Sequence, residues 1–168
     1  LDTLAIPLCH IAGISERRSY LMTGAFEPES RLKPFLAPEP GLQSGLMIAQ
    51  YTAAACVNEM IGLATPASVA NISTCAGMED YNSMGATSAL KLRRAIERCR
   101  QVIAIELLCA TEALEYQRPL ESGTGAEKAY QTVRRVVSRR TADRPPAPDI
   151  VAIETLIMNG AFGDGRLS

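Results

Sequence analysis

One stretch constrains this chain more than any other. Leu92, Ile96, Cys99, Ile103, Leu107, Ala110 and Leu114 recur at spacings of 4, 3, 4, 4, 3 and 4. That is the period of an α-helix, sustained without a break. It predicts one long helix from about Tyr81 to Gln117, closed by Pro119. A helix of about 35 residues is roughly 50 Å long. Arg and Lys crowd its first half, whereas Val102–Cys109 is nearly all apolar, so the rod runs from an exposed end into a deep core. Such a rod needs neighbours along its whole course.

The remaining elements are shorter helices. Leu4, Leu8, Ile11 and Ile14 give residues 1–23 a helical apolar face, ended by Gly24. Pro7 is awkward inside a helix, so the regular part is expected to begin there. Pro28, Pro34, Pro38 and Pro40 keep residues 25–41 extended. Residues 44–64 read as a helix with Ser44 as N-cap and Ala53, Ala54 and Ala55 for close approach of a neighbour. It is apolar on most sides, which predicts burial on most sides. Residues 66–80 are irregular; two further helices follow at about 126–140 and 148–159, with Gly160 after the last. No strand alternation, internal repeat or low-complexity tract interrupts this pattern. The fold class is therefore all-α, a bundle of long helices forming one unit over residues 1–168. A chain of this size is unable to sheathe both the long rod and the alanine-rich helix, which predicts association.

Charge and cysteine usage exclude several functions. A formal net charge of −1 offers no footprint for nucleic acid or an anionic membrane. The pairs Arg93-Arg94, Arg134-Arg135 and Arg139-Arg140 are interleaved with apolar residues and read as solvated helix faces. His10 is the only histidine, which argues against a His-based metal site or a nucleophile–His–acid triad. The five cysteines include no CxxC pair and lie mostly in apolar stretches, so a reduced, cytoplasmic protein is expected. The span Gly41–Thr65 has one charge, Glu59, but Gln43, Gln50, Thr52 and Asn58 mark a core helix rather than a bilayer span. No basic n-region precedes an apolar stretch, so no signal peptide is read.

Only Asn71–Gly85 looks more than structural. It is polar, irregular, contains glycine and lies between two buried helices. Glu79 and Asp80 sit where acids would offset a helix macrodipole, and spacing alone favours that role. Gln50 is a buried amide in need of partners. Arg17 and Arg18 suit a helix C-terminus or inter-subunit ion pairs, and Tyr20, Tyr51, Tyr116 and Tyr130 suit core or interface positions.

Six motifs, in order and at nearly matching spacing, resemble one family. Gly41–Ala55, GLQSGLMIAQYTAAA, is similar to its GLNSGFMIAQVTAAA run. Ile14–Arg18 contains SERR; Thr65–Val69 resembles HPASV; Met78–Met84 resembles QEDHVSM; Val102–Glu106 resembles VLAIE; Ala147–Ile150 is APDI. The family is that of the histidine, phenylalanine and tyrosine ammonia-lyases and related aminomutases. The resemblance covers almost the whole chain and corresponds to the C-terminal third of a usual member. It implies a helical homotetramer whose active sites draw on more than one subunit. It also implies the electrophile 4-methylideneimidazol-5-one (MIO), formed from an Ala-Ser-Gly triplet, and the loss of ammonia from an amino acid to leave an α,β-unsaturated acid.

The resemblance assigns residues as well. Glu79 matches the family's active-site glutamate and is the candidate catalytic carboxylate. The phenylalanine enzymes usually have Gln there, and a carboxylate suits an imidazolium or an imidazole N–H, which tilts the expectation toward a histidine-like substrate. Met47 matches a pocket-lining position and, with Met78, is a candidate for substrate binding. Met78 stands in place of the family's Gln, Tyr81 in place of His and Gly77 in place of Asn. No Ala-Ser-Gly triplet occurs in the 168 residues, and the family's N-terminal Tyr loop and Tyr-Ser-Leu-Arg segment are absent. The expectation is a chain inactive alone, contributing core helices and one carboxylate to a lyase completed by an N-terminal portion. The alternative is a non-catalytic helical oligomerisation module derived from a lyase.

Overall fold

The computed structural model describes residues 1–163. Five α-helices carry the architecture: α1 (Asp2–Gly24), α2 (Met47–Leu63), α3 (Gly85–Gln117), α4 (Thr124–Arg134) and α5 (Ala147–Met158). Short 3-10 turns punctuate the connections, and no strand forms among the described residues. The spine is α3, whose 33 residues give a rod of about 50 Å. The helices α1, α2, α4 and α5 all pack against it, and α1 also packs against α2.

Small residues set the close approach at the centre. Ala12 of α1, Ala49 and Ala53 of α2, and Ala95 of α3 are all buried to within 1% of complete exclusion. Around them lie Leu46, Cys56, Met60, Cys99, Val102, Ile105 and Leu108, with Ile150 and Ile153 of α5 closing the far side. The buried positions of α2 step by 4, 3 and 4 residues, so the helix buries one stripe and leaves Ile48, Tyr51 and Ile61 uncovered. The burial on most sides read from the sequence is thus not achieved within this chain.

The first helix inverts the expected pattern. Its inner face is Ala5, Ala12, Ser15, Glu16, Ser19 and Thr23. Leu4, Ile11 and Ile14, three of the four residues read as its apolar face, are more than half or just half exposed, as is Leu21. The buried hydroxyls are satisfied within the chain: Ser19 Oγ donates to Ser15 O at 3.2 Å, Thr23 Oγ1 to Ser19 O at 2.9 Å, and Ser15 Oγ to Val102 O at 3.5 Å. Hydrogen-bonded in this way, small polar side chains can be buried at little cost and let α1 lie close to α3. On α3 the same displacement occurs. Leu92, Ala95, Cys99, Val102, Ile105 and Cys109 form the inner stripe, whereas Ile96 is exposed.

Element ends differ from expectation for local reasons. The helix α1 begins at Asp2, ahead of Pro7, which forfeits only the bond to the carbonyl four residues back. Its left-handed terminating residue is Ala25 (φ 48°) rather than Gly24. Ser44 does not cap α2, which starts at Met47; its N–H is held instead by the Asp143 carboxylate at 2.7 Å. The long helix starts at Gly85 rather than Tyr81 because Asn71 and Asn82 lock the preceding loop, as described below. The helix α4 stops at Arg134, after which the chain turns to bury Val137 and Arg140.

Candidate functional site

The Asn71–Met84 loop is shaped by its amides. Asn82 N–H donates to Asn71 Oδ1 at 2.9 Å, and Asn71 Nδ2 returns a bond to Asn82 O at 2.7 Å. Asn82 Nδ2 also donates to Ile72 O at 2.6 Å. Inside this double lock, Thr74 and Glu79 pair through their backbones, with Thr74 N–H to Glu79 O at 2.9 Å. Cys75 and Ala76, both at φ 53°, and Gly77 at φ 89° make the tight reversal between them. Glu79 is thereby carried at the tip of a hydrogen-bonded hairpin-like loop rather than in a helix. Its Oε2 accepts from Thr74 Oγ1 at 2.9 Å, and the side chain faces solvent. Met78 beside it is 86% exposed and Tyr81 is also uncovered.

The base of the loop is tied to the bundle. Asp2 accepts from Ser68 Oγ at 3.0 Å, and Lys91 Nζ donates to Thr65 O. The hydroxyl of Ser88 and the groups of Ser68 hold the Asp2 carboxyl down at about 2. The Glu79 loop therefore belongs to the end of the bundle where α1 begins and α2 finishes.

Met47 lies at the other end. It is the first residue of α2 and lines a cavity of about 380 Å³ with Tyr20, Phe26, Phe35, Gln50 and Tyr51. The 17 residues of α2 separate the two places by about 25 Å. Within one chain the structure does not bring Met47 together with Glu79 and Met78. Behind the cavity, Gln50 Nε2 donates to buried Glu16 at 2.6 Å, and Arg17 grips the same carboxylate at 2.6 and 2.8 Å. Burial works against the charge on Glu16, but the bonds from Arg17 and Gln50 prevail and hold its pKa below the usual carboxylate range. The partners that Gln50 needs are thus in the chain. Arg17 also stacks over Tyr20 at 4.6 Å, and Arg18 pairs with Glu106, so both arginines are engaged internally.

Sequence reasoning passed over Thr74, Asn71 and Asn82 as holders of Glu79, and Glu16 as a buried charge. The signal for the first three was there, since Asn and Thr in an irregular stretch bond to nearby backbone. The arrangement offers one carboxylate oxygen fixed by a hydroxyl and another facing outward. It can accept an N–H or pair with a cation. Among the described residues no cluster of three His, Cys, Asp or Glu side chains converges, and no helix is long and apolar enough to cross a membrane.

Comparison with known proteins bears on the family and the fold. The sequence model of the aromatic amino acid lyases matches residues 1–135. A histidine ammonia-lyase of Natranaerobius thermophilus is 42% identical over 160 residues, 95% of this chain and 31% of that protein. The crystal structure of histidine ammonia-lyase from Trypanosoma cruzi superposes with a TM-score of 0.89 at 41% identity, covering 96% of this chain and 31% of that one. The tyrosine aminomutase of Streptomyces globisporus superposes with a TM-score of 0.88 at 30% identity, again covering 96% and 31%. The chain spans about a third of the length of the relatives it matches.

Proposed function

The chain belongs to the aromatic amino acid lyase family, and from that premise we propose that it forms part of an ammonia-lyase, contributing core helices and one carboxylate to a shared active site. The reaction is elimination of ammonia from a histidine-like or aromatic L-amino acid, leaving an α,β-unsaturated acid. The observation that carries this reading is identity of 42% with a histidine ammonia-lyase along 95% of the chain. Glu79 is the carboxylate. The Thr74 hydroxyl engages Oε2, which leaves Oε1 to take an imidazole N–H or pair with an imidazolium. Met78 and Met47 supply apolar walls. Because Met47 opens α2 and Met78 lies in the loop beyond its other end, with about 25 Å of helix between those ends, they serve one pocket only when segments or copies beyond this chain meet them. A homotetramer in the cytoplasm, with all five cysteines free, fits that requirement.

The residues of this chain do not fit as the source of MIO. Its two Ser-Gly pairs follow Gln43 and Glu121 rather than alanine, and the Gly45 N–H is already engaged by Asp143 at 2.9 Å. The electrophile is expected from another part of the complete enzyme, where it activates the substrate for loss of ammonia.

A second reading, a non-catalytic helical oligomerisation module, draws on the uncovered Leu4, Ile11, Ile14 and Leu21 of α1. Substitution of Glu79 separates the two. In the complete protein, Glu79→Ala is expected to lower ammonia release from L-histidine or an aromatic amino acid on the order of a hundredfold, with the oligomeric state unchanged. Unchanged steady-state kinetics would refute the role of Glu79.

A further inference from the structure

The loop that leads into α2 is wound against ordinary backbone preference. Phe35 (φ 57°) and Leu36 (φ 52°) are consecutive non-glycine residues in the left-handed region. Gly45 is also left-handed (φ 55°), and a Cβ there would lie 2.3 Å from Phe35 O and 2.9 Å from Ala37 N. Leu46 N–H donates to Phe35 O at 2.8 Å, which draws the two ends of the loop together. Leu36, Ala37 and Leu46 are fully buried beneath it. Conformations of this kind persist only where the surroundings over-determine them.

Part of that determination comes from the far end of the chain. Asp143 Oδ2 accepts the Ser44 N–H at 2.7 Å, and Oδ1 accepts the Gly45 N–H at 2.9 Å. Both carboxylate oxygens are spent on two successive amides, the last two before Leu46 and Met47. Those two bonds hold the Asp143 carboxyl below the usual range. Its own segment is framed by arginines. Arg144 donates to Ser138 O at 2.6 Å and meets Asp149 at 3.0 Å, while the Arg140 N–H donates to buried Glu112 at 3.3 Å. Asp143 lies beyond residue 135, where the family match stops.

We propose that Asp143 is a positioning residue: by clamping the Ser44 and Gly45 amides it fixes the strained 34–46 loop and so sets the place of Met47 at the head of α2, on the wall of the substrate pocket. The kinetic half of this rests on the lyase reading; the clamp itself does not.

The test uses the complete protein that carries this segment, as wild type, Asp143→Ala and Asp143→Asn. Hydrogen exchange at Ser44 and Gly45 is expected to quicken about tenfold or more in Asp143→Ala and less in Asp143→Asn, whose amide oxygen still accepts one bond. The value of kcat/KM per folded molecule is expected to fall about tenfold in Asp143→Ala and to recover partly in Asp143→Asn, with assembly unchanged. In a Met47→Ala background the same substitution is expected to cost little more, since the two act through one wall. Should Asp143→Ala fail to assemble, Asp143→Asn carries the same comparisons. Unaltered exchange overturns the clamp. Faster exchange with unaltered kcat/KM, or a full loss that persists on top of Met47→Ala, overturns the positioning role. A wild type without turnover sinks the lyase reading instead, and exchange alone then decides the clamp.

Discussion

Glu16 and Glu79 are chemically the same side chain, and their surroundings give them different work. Glu16 is buried, gripped by Arg17 and bonded by Gln50, and acts as a fixed charge beneath the α1–α2 contact. Glu79 is uncovered and steadied by one hydroxyl, that of Thr74. Burial and pairing assign Glu16 to structure, and exposure leaves Glu79 free for the binding role proposed for it. Gly45 shows the same dependence on surroundings in its backbone. An alanine there would combine a left-handed φ of 55° with a Cβ 2.3 Å from Phe35 O. Because the clash is with backbone, Gly45→Ala is expected to destabilise the complete protein by at least about 2 kcal/mol. A lowered denaturant midpoint checks this, and an unchanged midpoint would show the loop to be slack.

At the scale of elements, the helices themselves were legible, because a period near 3.6 survives whichever face is buried. Which face is buried was not. In α1 Leu4, Ile11, Ile14 and Leu21 are exposed, while Ser15, Ser19 and Thr23 pack inward, because their hydroxyls are small and satisfied, Ser19 and Thr23 within their own helix and Ser15 by Val102 O of α3. A reading that equates apolar with buried has no access to that choice, and it displaced the stripe on α3 toward exposed Ile96 for the same reason. Helix ends failed where tertiary partners intervened: Asp143 holds the Ser44 and Gly45 amides in the loop ahead of α2, which starts only at Met47, and the Asn71–Asn82 lock delays α3 to Gly85. In the candidate site, Glu79 was singled out by resemblance alone, and its support by Thr74 was passed over although a Thr in an irregular stretch signals such a bond. The junction of α3 and α4 rests on a buried charge cluster. Glu112, 3% exposed, pairs with Arg134 at 2.9 Å and accepts the Arg140 N–H, while Glu115 shares Arg134 at 2.9 Å. Removing Glu112 leaves an under-compensated guanidinium in the interior, so Glu112→Ala is expected to cost about 3 kcal/mol. Thermal or denaturant unfolding measures it, and a cost below about 1 kcal/mol would mean that water reaches the cluster.

At the scale of the whole molecule, this chain buries one side of α1 and α2 and leaves the other unfinished. Leu4, Ile11, Ile14 and Leu21 line the outside of α1 at spacings of 7, 3 and 7, and Ile48, Tyr51 and Ile61 do the same on α2. These are the positions a further helix would read as a packing seam. The first half of the rod α3 buries only the stripe of Ser88, Leu92, Ala95 and Cys99 and leaves Leu90 and Ile96 uncovered, and the length of α2, about 25 Å, separates the Glu79 end of the bundle from the Met47 end. Each of these features is accounted for if other segments of a lyase sheathe the bundle and complete the pocket. The most direct measurement is sedimentation velocity of the isolated 168-residue chain across a range of concentrations, with binding of an apolar dye followed on the same sample. Concentration-dependent association and strong dye binding are expected, both reduced by Ile14→Lys on the α1 seam. A monodisperse, dye-silent monomer at every concentration would contradict it.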